Sequence, residues 1–395
     1  VFQAFLSQQA RPSLNYFTIQ EPKTSHEKLQ LVAICDQLKF SPTKKGGFLM
    51  KTITAYLAQW RLNNLTFRPG DMDRLTHVIV SFAIVKDGAA SIDHWKNIDA
   101  LQALIQNKGP VKIILSIGGW GAGGFSPAVA TAAGREKLAQ SYVDIINKHC
   151  FDGADLDWEF PGLDMAGIEA SLQDKDNYTA WVKLLRQKLG PQMHLSMAGG
   201  AMQSCVDNLD IPALVQELDC INIMTYDMCP WDKVGYHTAL FSTTTNATSG
   251  DAAINRYLAA GAPPEKLVLG AGFYAQCYHD VDGHPGAAIK SPPKHDRGHA
   301  ESAAKAKAFG EQYDPAAETA FAYNSQTREF FSYDSPRSLA AKAKYVHEKN
   351  LAGIMFWEYS MDDENSTLLK AIYSEINEKR PRRPYLTIDN PPSLS

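Results

Sequence analysis

Four carboxylates, Asp152, Asp155, Asp157 and Glu159, fall within the eight residues "DGADLDWE", and Phe160-Pro161-Gly162 then closes the segment. On an extended strand alternate residues share a face, so Asp155, Asp157 and Glu159 point one way while Leu156 and Trp158 point the other. Successive members of the row are then roughly 6 to 7 Å apart. Where neighbouring strands exclude water, such charges do not all ionise: at least one pKa rises and a proton is shared within the group. Glu159 stands last, just before the turn. A proton-holding glutamate at a strand end, backed by two aspartates, is the arrangement of a tuned general acid.

Other chemistries compete for the same residues. A calcium loop needs an Asp-x-Asp-x-Asp-Gly pattern with a later glutamate, and this segment has a tryptophan where the glycine belongs. A magnesium or manganese site built from these oxygens is a further alternative. A solvated acidic strand is disfavoured by Phe151, Leu156, Trp158 and Phe160.

The row needs a scaffold, and the chain supplies one from Thr52 onward. Short apolar runs begin at Thr52, Thr76, Val111, Phe151, Met193, Cys220, Lys266 and Leu351. Their lengths, β-branched residues and terminal Gly or Pro signals mark buried strands. Helical patterns lie between them. Leu138, Tyr142, Ile145, Ile146 and His149 share one face; Tyr178, Trp181, Val182, Leu185 and Leu189 share another, with Gly190 placed to end that helix. Pro336 suits the first turn of one more helix. Eight strands alternating with helices imply parallel pairing through crossovers. The expected fold is therefore an α/β (β/α)8 TIM barrel, with an open doubly wound sheet as the alternative. In the barrel Glu159 sits nearest the C-terminal mouth, where catalytic groups of this architecture are found. Residues 275–333 are too many for a simple connection and are expected to form a small α+β insertion after the seventh strand. Residues 1–50 read as an N-terminal extension of unassigned role, 51–379 as the catalytic barrel and 380–395 as a C-terminal tail.

"DGADLDWE" resembles the Asp-x-x-Asp-x-Asp-x-Glu signature of family 18 glycoside hydrolases, the chitinase family. "SIGG" (Ser116 to Gly119) is similar to that family's third-strand motif and "MTYD" (Met224 to Asp227) to its sixth-strand motif, and Trp357 falls where the family keeps an eighth-strand tryptophan. The likeness spans about residues 52 to 375. It implies hydrolysis of β-1,4 bonds between N-acetylglucosamine units of chitin or its oligomers, without a cofactor or metal. Retaining glycosidases generally use a second carboxylate as nucleophile, and this family is an exception in which the substrate's N-acetyl group attacks instead. By matching positions, Glu159 protonates the leaving oxygen, Asp157 orients the acetamido N–H, Tyr226 fixes the carbonyl oxygen and Asp155 exchanges a proton with Asp157. Trp357 is the expected floor of the −1 subsite. Asp227 binds sugar hydroxyls, and Met224 and Gly119 join the substrate-binding set. Ser116 and Asp152 are expected to support the acidic cluster, with Ser116 reaching Asp152 or Asp155. Tyr56, Phe82, Trp120 and Tyr274, at or beyond other strand ends, are candidates for the cleft or the core. Rival readings are a non-catalytic chitinase-like lectin, which the presence of Glu159 opposes, an endo-β-N-acetylglucosaminidase acting on N-glycans, and a metal-dependent hydrolase.

Composition bounds the partners. The 395 residues are 45% hydrophobic and 21% charged, with a formal net charge of −4. That balance offers no basic footprint for nucleic acid and no polybasic membrane patch. No apolar run reaches the roughly 18 to 20 residues of a membrane span. A monomer acting on a neutral polysaccharide is expected. The six cysteines leave the redox compartment open and read as small buried hydrophobes. Sequons at Asn64, Asn177, Asn246 and Asn365 suit a secreted protein, and an extracellular location is the expectation.

Overall fold

The computed structural model describes residues 51–64 and 67–377. The expected extension at 1–50 and tail at 380–395 lie outside the described residues. Eight parallel strands follow one another: β1 (Thr52–Ala58), β2 (His77–Lys86), β3 (Lys112–Gly118), β4 (Gly153–Asp157), β5 (His194–Gly200), β6 (Cys220–Met224), β7 (Leu267–Gly272) and β8 (Gly353–Trp357). Each pairs with its successor, and β8 returns to β1, so the sheet closes into a barrel. Closure explains why the strands read as continuous apolar runs: β4 and β5 are buried along their whole length.

The crossover helices pack on the outside of this barrel. Helix Ala132–Lys148 buries Leu138, Ala139, Tyr142, Val143 and Ile146, so Val143 rather than Ile145 completes the stripe. Helix Asp174–Leu189 buries Tyr178, Trp181, Val182 and Leu185, and Gly190 follows it with φ 77°. Trp158, on the outward face of the β4 segment, stacks on Phe125 at 5.3 Å and meets Tyr178 edge-on at 5.8 Å. That outward anchor fixes which face of the acidic row turns inward. Helix Pro336–Glu348 starts with a capping box at Ser335, a feature that satisfies two otherwise orphaned backbone donors.

After β7 the chain leaves the barrel and builds a five-stranded antiparallel sheet, in the order 294–298, 274–278, 329–333, 319–324, 312–314, with helix His299–Phe309 alongside. It returns through Asp334, whose carboxylate accepts from Gly272 N–H at 3.1 Å, Ser338 Oγ at 2.8 Å and the fully buried Lys342 Nζ at 2.6 Å. A second long excursion, residues 225–249 after β6, is absent from the sequence expectations. Val234, Tyr236 and Ala239 from it share a core with Tyr278, Val281, Phe321 and Phe330 of the insertion. The two excursions therefore form one wall at the C-terminal end of the barrel.

Cys150 is in a disulfide, which corrects its reading as a plain buried thiol, whereas Cys205, Cys220 and Cys229 are free thiols. Asn246 is fully buried. Its side chain accepts from Tyr236 N–H and donates to the Thr248 carbonyl, so that sequon is a core turn.

Candidate active site

The strand register sets the site. Ser116 of β3 stands opposite Asp155 of β4, and Asp155 opposite Ser196 of β5. Asp155, with no exposed surface, consequently accepts from Ser116 Oγ at 2.8 Å and Ser196 Oγ at 2.6 Å. Tyr56 Oη donates to it at 3.0 Å and Asn222 Nδ2 at 3.3 Å. These four donors occupy the lone-pair positions of an ionised carboxylate. Burial pushes the Asp155 carboxyl up, and the hydrogen bonds oppose that push.

Asp157 has no such support. It is buried, and its Oδ1 has no hydrogen-bond partner. Burial, followed by the charges of Glu159 and Asp155, pushes its carboxyl well up. Glu159, partly exposed just beyond the end of β4, is raised to about 8 by burial and then by the charge of Asp227. The strongest upward pushes thus fall on Asp157 and Glu159, the two members without a full set of donors.

Asp152 does not support this cluster, contrary to expectation. Its position in the alternation differs from that of Asp155, so it faces away, and its carboxylate takes Lys108 Nζ and the Ile113 N–H at 2.7 Å. It ties the start of β4 to neighbouring elements at the other end of the strand. Of the two partners proposed for Ser116, the structure selects Asp155.

The aromatic residues separate by depth. The register of β2 against β3 slips between Ser81 and Ala83, and this bulge carries Phe82 to the barrel mouth, where it stacks on Trp357 at 5.6 Å and 12°. Trp95 Nε1 holds the Phe82 carbonyl at 2.9 Å. Gly119 makes room for that ring: at φ 95°, a Cβ there would come within 2.7 Å of it. The need for glycine is thus met by Phe82 rather than by approach of a ligand. Tyr56 is a buried member of the Asp155 network, 6.0 Å from Trp357. Tyr274 is buried beneath Tyr226, with ring centroids 6.2 Å apart. Tyr226, Met224 and Trp357 are partly buried against the inner cluster of Tyr56, Ile79, Ile114, Val268 and Met355. Trp120 is 62% exposed on the loop after β3, and two indoles not foreseen in the sequence stand out as well, Trp231 at 73% on the loop after β6 and Trp60 at 56% in the 3-10 helix Gln59–Asn64 after β1.

Asp227 adopts φ 54°. Gln276 Nε2 donates to its Oδ1 at 2.6 Å, while His237 Nδ1 and His295 Nε2 lie 3.5 and 3.7 Å from that oxygen. Burial pushes the Asp227 carboxyl up, and the Gln276 donor and the nearby His295 oppose that push. Ser196, Asn222, His237 and Gln276 were not singled out in the sequence, because no local pattern distinguishes them. Among the described residues, two groups have three possible metal ligands within 4.8 Å of one another: Cys277, His279 and Glu329; and His299, Asp362 and Asp363. Neither includes a member of the Asp155–Asp157–Glu159 row. The row itself offers a raised acid, a buried carboxyl oxygen lacking a donor, and a carboxyl group surrounded by four donors, above an aromatic floor.

Comparison with known proteins gives a match to the family model described as glycosyl hydrolases family 18 over residues 52–362. Chitinase A1 of Niallia circulans is 33% identical over 314 residues, 71% of this chain, and the chain spans only 44% of that relative's length. Endochitinase 1 of Metarhizium robertsii is 30% identical over 354 residues, covering 80% of this chain and 82% of the relative. The solved structure of a glycoside hydrolase family 18 N-acetylglucosaminidase from Paenibacillus barengoltzii is similar with a TM-score of 0.77 and 33% identity, over 82% of this chain and 99% of that one.

Proposed function

The chain belongs to glycosyl hydrolase family 18, and from that premise we propose that it is a chitinase cleaving β-1,4 bonds between N-acetylglucosamine units by substrate-assisted retaining catalysis. One observation carries the proposal: Asp157 Oδ1 is buried without a donor. A buried acceptor left unsatisfied costs about 1 to 3 kcal/mol, and the acetamido N–H of a −1 sugar supplies what is missing. Asp157 thereby turns the acetamido group so that its carbonyl oxygen attacks the anomeric carbon, and Tyr226 Oη fixes that oxygen. The C1–O bond breaks as Glu159 delivers its proton to the leaving sugar, giving an oxazolinium ion whose positive charge Asp157 stabilises. Glu159, now ionised, takes a proton from water, which opens the oxazolinium ring with net retention. Asp155, held by its four donors, keeps a negative charge beneath Asp157. Trp357 and Phe82 carry the apolar face of the −1 sugar, Asp227 binds its hydroxyls, and Trp120, Trp231 and Trp60 offer stacking surfaces further along a chain.

Proton NMR of fresh product tests this mechanism: the β anomer should appear first, and an α first product would eliminate it. The similarity to an N-acetylglucosaminidase favours a second reading, release of single N-acetylglucosamine units. Product profiles on tetramer and hexamer separate the two, since a chitinase of the first kind yields disaccharide or larger fragments. The disulfide at Cys150 supports an oxidising, extracellular setting, and no helix among the described residues is long and apolar enough to cross a membrane. We propose further that the enzyme acts as a monomer, which light scattering tests directly.

A further inference from the structure

Asp227 sits just past β6 with φ 54°, a left-handed conformation that is uncommon for residues with a side chain and, among them, is most often taken by Asn and Asp. Its backbone N–H donates to His237 Nδ1 at 3.0 Å, and the next N–H, of Met228, donates to the His237 carbonyl at 3.1 Å. On the other side of the ring, Nε2 lies 3.2 Å from the Tyr274 carbonyl oxygen, which can only accept. These contacts fix the tautomer, with the proton on Nε2 and the lone pair on Nδ1. The Asp227 carboxylate is farther from Nδ1, at 3.5 Å, beyond a good hydrogen bond, and takes its short bond from Gln276. The ring itself is confined. His237 has no exposed surface, and its backbone N–H donates to Ser332 Oγ of the insertion at 3.2 Å. The ring lies 4.8 Å from that of Tyr274, and a Cβ on Gly272 would reach it at 2.9 Å.

We infer that His237 is a positioning residue: as a neutral imidazole it accepts the Asp227 N–H, locks Asp227 in its left-handed conformation, and so fixes the negative charge that faces Glu159. The inference rests on the reading of Glu159 as the proton donor. The other titratable groups around the pair are Asp157, Tyr226 and Cys205 on the Glu159 side, and His295, Tyr274 and Cys229 on the Asp227 side. His237 reaches the reaction only through Asp227.

Two variants test this by pH profiles of kcat/KM on chromogenic chitobiose. His237→Asn keeps an acceptor near the Nδ1 position, and His237→Leu removes it. The Leu variant should lose on the order of 10- to 100-fold in kcat/KM, as expected for a displaced site group, whereas the Asn variant should stay within about fivefold of the parent. The alkaline limb should also move down by about one pH unit in the Leu variant alone, because Asp227 no longer faces Glu159 at fixed distance. A purely structural ring would lower activity without moving the limb. Should the Leu protein fail to fold, His237→Gln, which withdraws the acceptor from Nδ1, replaces it with the same expected losses. Equal effects of the Asn and Leu variants, or an unmoved limb in a folded variant lacking the acceptor, would overturn the inference. Glu159 is also titrated without substrate, by infrared difference between each protein and its Glu159→Gln counterpart. If the parent proves inactive, the acid reading fails, and this titration still decides the role of His237.

Discussion

Replacing Glu159 by Gln preserves the shape of the side chain and removes its proton, so the variant isolates what the raised carboxyl does. Burial and the Asp227 charge hold Glu159 at about 8 instead of 4.5. At pH 7 a group at 8 is about nine-tenths protonated, whereas one at 4.5 would be protonated in roughly one molecule in 300. The parent enzyme should therefore keep its acid through the neutral range, with kcat/KM falling along an alkaline limb near pH 8. The variant should lack that limb and turn over chito-oligomers on the order of 1,000-fold more slowly, within the range general acid catalysis supplies. The deficit should shrink on a substrate whose leaving group needs no proton, and oligosaccharide binding, followed by tryptophan fluorescence, should survive. A stability signature accompanies the kinetic one. The folded-state pKa lies above the unfolded value, so the stability linked to this proton is fully present below about pH 4.5 and lost as pH rises through about 8. The gap between those values sets a ceiling of about 5 kcal/mol, which solvent at the exposed edge of the side chain reduces. Glu159→Gln should consequently be more stable than the parent at pH 9, by about 1 to 5 kcal/mol in urea unfolding. Most of that difference should close by pH 5. Near-parental turnover of oligomers by the variant, or a parental alkaline limb near 4.5, would refute the assignment of the proton donor.

Trp357→Ala removes half of the Phe82–Trp357 floor. It should lower kcat/KM on chito-oligomers by about 30- to 100-fold, corresponding to about 2 to 3 kcal/mol of lost aromatic burial, as initial rates will show. Lys108→Met leaves the Asp152 charge without its buried partner and should cost about 3 to 5 kcal/mol in denaturant unfolding. The pH profile of kcat/KM should stay put, because the pair lies at the opposite end of β4 from Glu159; a shifted profile would return Asp152 to the site.

The parts of the site legible in the sequence are those written into single strands. Period-2 alternation alone places Asp155, Asp157 and Glu159 on one face, and the same rule excludes Asp152, whose assignment to the cluster neglected it. The eight apolar runs and the helical stripes, with ends marked by Gly190 and Pro336, identify the barrel because local periodicity and burial agree. Ser196 and Asn222 were illegible, since an isolated serine or asparagine carries no signal until register brings it beside Asp155. The bulge that turns Phe82 toward Trp357 was equally hidden, as it exists only in the pairing of β2 with β3.

By itself, then, the sequence determined the order of the elements, the inward row of carboxylates and the exit of Glu159 at the turn, because these depend on neighbours close along the chain. Tertiary structure decided how strongly each carboxyl group is pushed up. Asp155 receives its donors from four other strands, Asp157 leaves an oxygen unpartnered, and Glu159 faces an Asp227 anchored by the loop after β6 and the insertion after β7. The balance of ionisation among buried carboxylates is set by the donors and charges around each one, and here those come from residues distant in sequence.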